Sequence, residues 1–136
     1  MTEGGQGDTV TSGSLELRWD APSRVASLAF SGETQLTGKH GAAMVDALTR
    51  WIGESKETFA LLADCRGVTA TDAGYRSATG DFFGAHRDAA RIALVNLGPV
   101  IRVVAEMFRI GIRIHLKTFP DEASARAWLR TQGVAA

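Results

Sequence analysis

Asp64-Cys65-Arg66-Gly67-Val68-Thr69-Ala70-Thr71-Asp72-Ala73-Gly74-Tyr75 is the stretch on which the reading of this chain turns. It leaves the apolar run Phe59–Ala63, crosses a glycine-containing turn and enters a segment of helical period at Asp72. A nearly unbroken apolar run suits a central strand covered on both faces. Thr71 or Asp72 before a helical pattern suits an N-cap, because a side-chain oxygen there accepts an otherwise unpaired first-turn N–H. The junction therefore joins a strand to a helix at the end where ligands of open α/β sheets tend to sit. It holds no paired catalytic side chains.

Two further apolar runs, Ile92–Val95 and Ile112–Leu116, alternate with helical segments. Pro99 suits a first helical turn, where its missing N–H costs nothing, and Gly111 suits the stop. A last helix opens at Asp121 and turns Ala125, Trp128 and Leu129 inward. On the other side, Met44, Val45, Leu48, Trp51 and Ile52 form one stripe of a helix from about Thr37 to Gly53. Before it, Leu15, Leu17 and Trp19 alternate with polar residues, Asp20-Ala21-Pro22-Ser23 makes a turn, and Arg24–Phe30 returns as an antiparallel strand. The order β-β-α-β-α-β-α-β-α predicts an α/β fold: a mostly parallel mixed sheet of about five strands with four helices. In the Tyr75 helix, Ala78, Phe82 and Ala85 are expected on the buried side, while Gly74, Gly80 and Gly84 each weaken the pattern.

Residues 1–13 are polar and Gly-rich and read as a flexible tail, leaving 14–132 as one domain. A chain of 136 residues with 45% hydrophobic and 22% charged content is globular in composition and needs no metal or disulfide staple. Fifteen basic residues balance fifteen acidic ones, which argues against nucleic-acid binding. Cys65 is the single cysteine, consistent with a reducing compartment. His40, His86 and His115 are far apart and show no metal-ligand spacing. No cofactor signature, signal-peptide core or run long enough for a transmembrane segment is present, so the expectation is a cytoplasmic protein without cofactor.

Three pieces carry a family resemblance: Leu61-Leu62-Ala63-Asp64 through Gly67-Val68, Arg91-Ile92-Ala93-Leu94-Val95, and Phe119-Pro120-Asp121-Glu122-Ala123 with Ala127-Trp128-Leu129. At this spacing, across about residues 15 to 131, the chain resembles the SpoIIAA-like family, the branch of the STAS fold grouped with SEC14-type domains. The resemblance implies a small sheet with helices largely on one side. It also implies a role in binding partners or apolar ligands, not catalysis. In anti-sigma-factor antagonists of the wider fold, an Asp-Ser-Ser-Gly loop presents a serine that a kinase phosphorylates. Here the matching run is Asp72-Ala73-Gly74-Tyr75, so that phosphoserine switch has no acceptor.

The expected function is a non-enzymatic regulatory module that docks a protein partner or itself without the phosphoserine switch. Arg66, Thr71, Asp72, Tyr75, Arg102 and Arg109 are its candidate contact residues. The alternative is a carrier or sensor of a small apolar or lipid-like ligand. Phe82, Phe83, Val104, Met107 and Phe108 would line the corresponding apolar pocket or interface. The helix from Val100 to Ile110 carries more apolar residues than one face normally buries, which bears on both readings.

Overall fold

The computed structural model of the protein describes residues 8–136. In chain order it runs β1 (Thr9–Ser12), β2 (Leu15–Asp20), β3 (Val25–Phe30), β4 (Thr34–Leu36), α1 (Gly38–Ile52), β5 (Phe59–Asp64), β6 (Val68–Thr71), α2 (Ala73–Ala85), β7 (Ala90–Val95), α3 (Pro99–Gly111), β8 (His115–Phe119) and α4 (Glu122–Thr131). Six strands make one sheet in the order β1-β2-β3-β5-β7-β8. The β1-β2-β3 pairings are antiparallel; β3-β5, β5-β7 and β7-β8 are parallel. This is the expected mixed, mostly parallel α/β sheet.

The apolar run Phe59–Ala63 sits centrally and is buried throughout, as its lack of alternation requires. Its odd-numbered members, Phe59, Leu61 and Ala63, join the larger core with Leu15, Leu17, Met44, Leu48, Phe82, Phe83 and Ile101 under α1, α2 and α3. Ala60 and Leu62 point to the opposite face, where Ala125, Leu129 and Val134 cover them together with Val25, Ala93 and Val95. So one face carries three helices and the other carries α4. At the hairpin end, Trp19 stacks on Trp51 of α1 with ring centroids 5.8 Å apart.

Four details depart from the sequence reading. First, Thr9–Ser12, expected within the tail, instead pair with Leu15–Arg18 as an edge strand, while residues 1–7 lie outside the described residues. Polar strand residues can be ordered this way because ladder hydrogen bonds repay what side-chain burial does not. Second, Thr34–Leu36 and Val68–Thr71 form a separate two-stranded parallel sheet, too short to show a period. Third, the last strand starts at His115, not Ile112. Ile112 caps α3 and Arg113 turns the chain at φ +60°, so the Ile112-Ile114-Leu116 alternation spans a turn. Fourth, the buried side of α2 holds Thr79, Phe82 and Phe83, and Ala85 is exposed. Thr79 is tolerated there because its hydroxyl donates to the Tyr75 carbonyl at 2.8 Å.

Candidate functional site

The junction after β5 is held together by its own residues. The Asp64 carboxylate accepts from the Arg66 guanidinium at 2.8 Å, the Arg66 backbone N–H at 3.1 Å and the Asn96 side-chain amide at 3.0 Å. Partial burial pushes the Asp64 pKa upward, but these donors outweigh it and hold the group below the ordinary carboxylate range. Gly67 has φ +91°, and its carbonyl accepts the Thr34 N–H at 2.8 Å, which ties the turn to β4. Cys65 is buried. Desolvation, then the Asp64 charge, pushes its thiol up to about 12, so it stays protonated and unreactive.

At the start of α2, Asp72 is the N-cap. Its carboxylate accepts the Tyr75 N–H at 2.8 Å, and its own N–H donates to Leu36 of β4 at 2.8 Å. Arg76 reaches back to the Thr71 carbonyl at 2.7 Å and to the Thr71 hydroxyl at 2.9 Å. Sequence reading overlooked Arg76, whose role depends on a helix turn bringing it back over the cap. Tyr75 points inward. Its hydroxyl donates to the Met44 sulfur at 3.6 Å, and desolvation raises its pKa above the ordinary phenol value.

Of the six expected contact residues, Arg66, Thr71, Asp72 and Tyr75 cluster at this junction, and each is engaged within the fold. Tyr75 in particular is a packing residue whose hydroxyl end does not face solvent. Arg102 and Arg109 lie on the exposed face of α3. Arg109 binds Glu106 at 2.9 Å, while Arg102 is exposed.

An apolar cavity of about 80 Å³ lies between the sheet and helices α2 and α3. Phe83, Val104 and Phe108 line it, with Tyr75, Ile101 and Leu116. Phe82 is not among the lining residues; it packs edge-on to Phe59 and Phe83 in the core. Met107 points away from the cavity altogether.

That orientation belongs to a larger feature. Ile101 and Ala105 bury one side of α3, and Val104 and Phe108 are half-buried beside them. The adjoining side leaves Val100, Val103, Met107 and Ile110 exposed at 61%, 61%, 60% and 66%. Among the described residues these four are the exposed large hydrophobic side chains, and all stand on one helix. Among the same residues, no group of three or more His, Cys, Asp or Glu could hold a metal ion, and no helix is long and apolar enough to cross a membrane.

A family model described as SpoIIAA-like matches residues 27–130. The chain belongs to the SpoIIAA-like family. Its fold is similar to that of an uncharacterized DUF3478-family protein with a SpoIIAA-like fold from Shewanella loihica PV-4, with TM-score 0.65, 14% identity, and 88% of this chain and 98% of that one covered. It is also similar to the anti-sigma factor antagonist SpoIIAA in its unphosphorylated form, with TM-score 0.62, 12% identity and coverage of 88% and 99%. A third likeness is to the murine Slc26a9 anion transporter, at TM-score 0.55 and 18% identity; it covers 79% of this chain but 18% of the transporter. At these identities the structures share the fold. Comparison with curated protein sequences finds no match.

Proposed function

We propose that this SpoIIAA-like domain is a non-enzymatic docking module that binds a protein partner through the exposed side of α3. The observation that carries the reading is the row Val100, Val103, Met107 and Ile110. Leaving four large apolar side chains wet on one helix costs solubility, and such patches commonly mark interaction surfaces. The likeness to an anti-sigma factor antagonist supports a regulatory role of this kind. Gly74 and Ala73 stand where the antagonists carry serine, so docking here does not depend on phosphorylating that loop. Arg66 serves chiefly to close the β5–β6 turn on Asp64, Thr71 and Asp72 set the β6–α2 corner, and Arg102 and Arg109 rim the apolar row.

The test is affinity capture from the protein's own cells, comparing wild type with a Val103→Asp, Met107→Asp double variant. Both positions are exposed, so the variant should fold. Loss of a defined set of bound proteins from the variant, unchanged by phosphatase treatment of the bait, is the expected result. Identical capture by both proteins would remove α3 from the reading.

The cavity favours a second reading, a sensor of a small apolar molecule. Its size limits the idea: about 80 Å³ is well below the several hundred Å³ of ordinary ligand pockets. A lipid does not fit without rearrangement of α3. A benzene-sized probe that leaves the melting temperature unchanged at millimolar concentration would dismiss this reading.

A further inference from the structure

His40 is the third residue of α1, and its ring reaches back to Thr37, the residue that caps the helix. Its Nδ1 lies 3.0 Å from the Thr37 backbone nitrogen and 3.1 Å from the Thr37 hydroxyl. A backbone N–H can only donate, so Nδ1 is the unprotonated ring nitrogen and Nε2 carries the hydrogen. Glutamate or glutamine ordinarily fills this post in a capping box. Histidine is the side chain that ordinarily changes charge between about pH 5 and 8, so here the acceptor is one that a proton can cancel.

The peptide group that His40 holds has a second engagement. Its N–H belongs to Thr37 and its C=O to Leu36, the last residue of β4. That carbonyl accepts the Asp72 N–H at 2.8 Å. A planar peptide moves as one body, so the Asp72 N–H, the Leu36–Thr37 peptide and the His40 ring form one chain of hydrogen bonds, each polarising the next. Asp72 is the N-cap of α2, and the first turns of α1 and α2 touch, with Gly41 against Tyr75 and Ala78.

We propose that His40 is a proton-sensitive latch whose protonation releases the Leu36–Thr37 peptide and thereby loosens the Asp72 corner at the start of α2. A proton added at Nδ1 sets that nitrogen and the Thr37 N–H against each other as two donors. The Thr37 hydroxyl can accept from the charged ring, which gives the ring a second place to go. The Thr37 N–H is then left without its acceptor, and the new cation stands at the positive end of α1, where it is disfavoured. The ring is half-buried, so solvent protons reach it.

No neighbouring carboxylate offsets this. The elements packed against α1 are α2, β1, β2 and β4. Strands β1 and β4 carry no charged residue. In β2, Glu16, Arg18 and Asp20 alternate with the core-facing Leu15, Leu17 and Trp19, so they face away from α1. At the start of α2, the Asp72 carboxylate is engaged by the Tyr75 N–H, Arg76 is engaged by Thr71, and the Tyr75 hydroxyl faces Met44. Asp81 lies six residues beyond Tyr75. On α1 itself the adjacent charge is the cation of Lys39, with Asp46 and Arg50 six or more residues beyond His40. Gly13 of the β1–β2 turn stands beside Nε2. Among the described residues, no ion pair involves His40.

Amide exchange of the isotope-labelled full chain at about pH 7.5 and about pH 5.5, corrected for intrinsic exchange, tests the latch, because carboxylates stay ionised across this range. Protection of the Thr37 and Asp72 amides should fall by about fivefold or more at the lower pH, while that of Leu61 in the central strand holds. His40→Gln supplies an acceptor that does not titrate and should keep both amides protected at both pH values. It retains His86 and His115, so neither can produce a difference between the two proteins. Ring-nitrogen chemical shifts of the wild type at the higher pH need no variant and should place the hydrogen of His40 on Nε2. A hydrogen found on Nδ1, unchanged protection in the wild type, an equal loss in His40→Gln, or a loss at Thr37 that leaves Asp72 protected would each overturn the proposal.

Discussion

Gly38 and Gly74 bring the first turns of α1 and α2 into direct backbone contact. A Cβ built on Gly74 would stand 3.1 Å from the Cα of Gly38 and 3.4 Å from its nitrogen. Beside them, a Cβ on Gly41 would meet Ala78 and Tyr75 at 3.2 and 3.3 Å. Gly74 is one of the two positions where the resemblance would place serine. The close approach of the two helices therefore stands in place of a hydroxyl-bearing side chain.

Restoring a serine at that position should destabilise the domain. Two of the three nearest atoms it would meet, the closest included, belong to the Gly38 backbone, which cannot swing aside, so Gly74→Ser is expected to cost about 1–2 kcal/mol despite the better helix propensity of serine. Ala73→Ser, which faces no such contact, should be near neutral. Urea midpoints of the two variants measure the difference. A Gly74→Ser protein as stable as wild type would show that α1 and α2 separate easily.

The two later glycines of α2 should respond differently from each other. A Cβ on Gly80 would meet the Cδ1 of Ile112 at 3.1 Å, the far end of a side chain that can rotate. A Cβ on Gly84 would meet the Cγ2 of Ile112 at 3.2 Å, an atom fixed directly to Cβ. Gly80→Ala is expected to be neutral or stabilising by about 0.5 kcal/mol, through helix propensity. Gly84→Ala is expected to destabilise by about 1 kcal/mol, with the loss relieved when combined with Ile112→Ala. A double-mutant cycle in thermal or urea unfolding reads the coupling.

Acid should unfold the protein by protonating three carboxylates. Asp20 is held below the ordinary carboxylate range by the Ser23 hydroxyl and then its backbone N–H. Asp121 is lowered by hydrogen bonding from Ser124, its backbone N–H first. In Asp64 burial pushes upward, but Arg66 and Asn96 prevail. Each folded-state pKa lies below the unfolded one, so the stabilisation is present above the ordinary carboxylate value and is lost as pH falls through the folded value. Urea midpoints at a series of pH values should be level near neutrality and decline below about pH 4. Asp121→Asn, which keeps a capping oxygen that does not titrate there, should decline less steeply. An unchanged slope would mean that Asp121 contributes nothing to the acid transition.

Cys65 should be silent towards thiol reagents in the native protein. It is 8% exposed, and its pKa is pushed up to about 12 by burial and by the neighbouring Asp64 charge, so almost no thiolate exists at pH 8. Labelling by an aromatic disulfide reagent is expected only at the rate of unfolding, and to become immediate in urea. Rapid labelling of folded protein would mean that the corner between β5 and β6 opens locally.

Much of this architecture is legible in the residues themselves. Leu15, Leu17 and Trp19 alternate as a half-exposed strand must, and Phe59–Ala63 is unbroken as a strand covered on both faces must be. Asp72 and Asp121 announce their helices because a cap is a local interaction, completed within three residues. The surplus of apolar residues on α3 was visible too, since composition along a helix needs no tertiary information.

Other features are set between segments distant in sequence. Nothing local marks Thr9–Ser12 or Thr34–Leu36 as strands, because their order comes from the ladders they join at Leu15–Arg18 and Val68–Thr71. Ile112 reads as the first residue of a strand until Gly80 and Gly84 offer it a groove on another helix. The choice between pocket wall and open surface on α3 was likewise tertiary. Packing against the sheet turned Ile101, Val104, Ala105 and Phe108 inward and left Val100, Val103, Met107 and Ile110 to solvent. The order of the four helices and the longer strands, the Asp caps and the apolar character of α3 could be read from the residues alone, because each acts over a few neighbouring positions. Which strands pair, why α2 carries glycines and which side of α3 is uncovered followed from the folded packing, because each depends on groups brought together by folding.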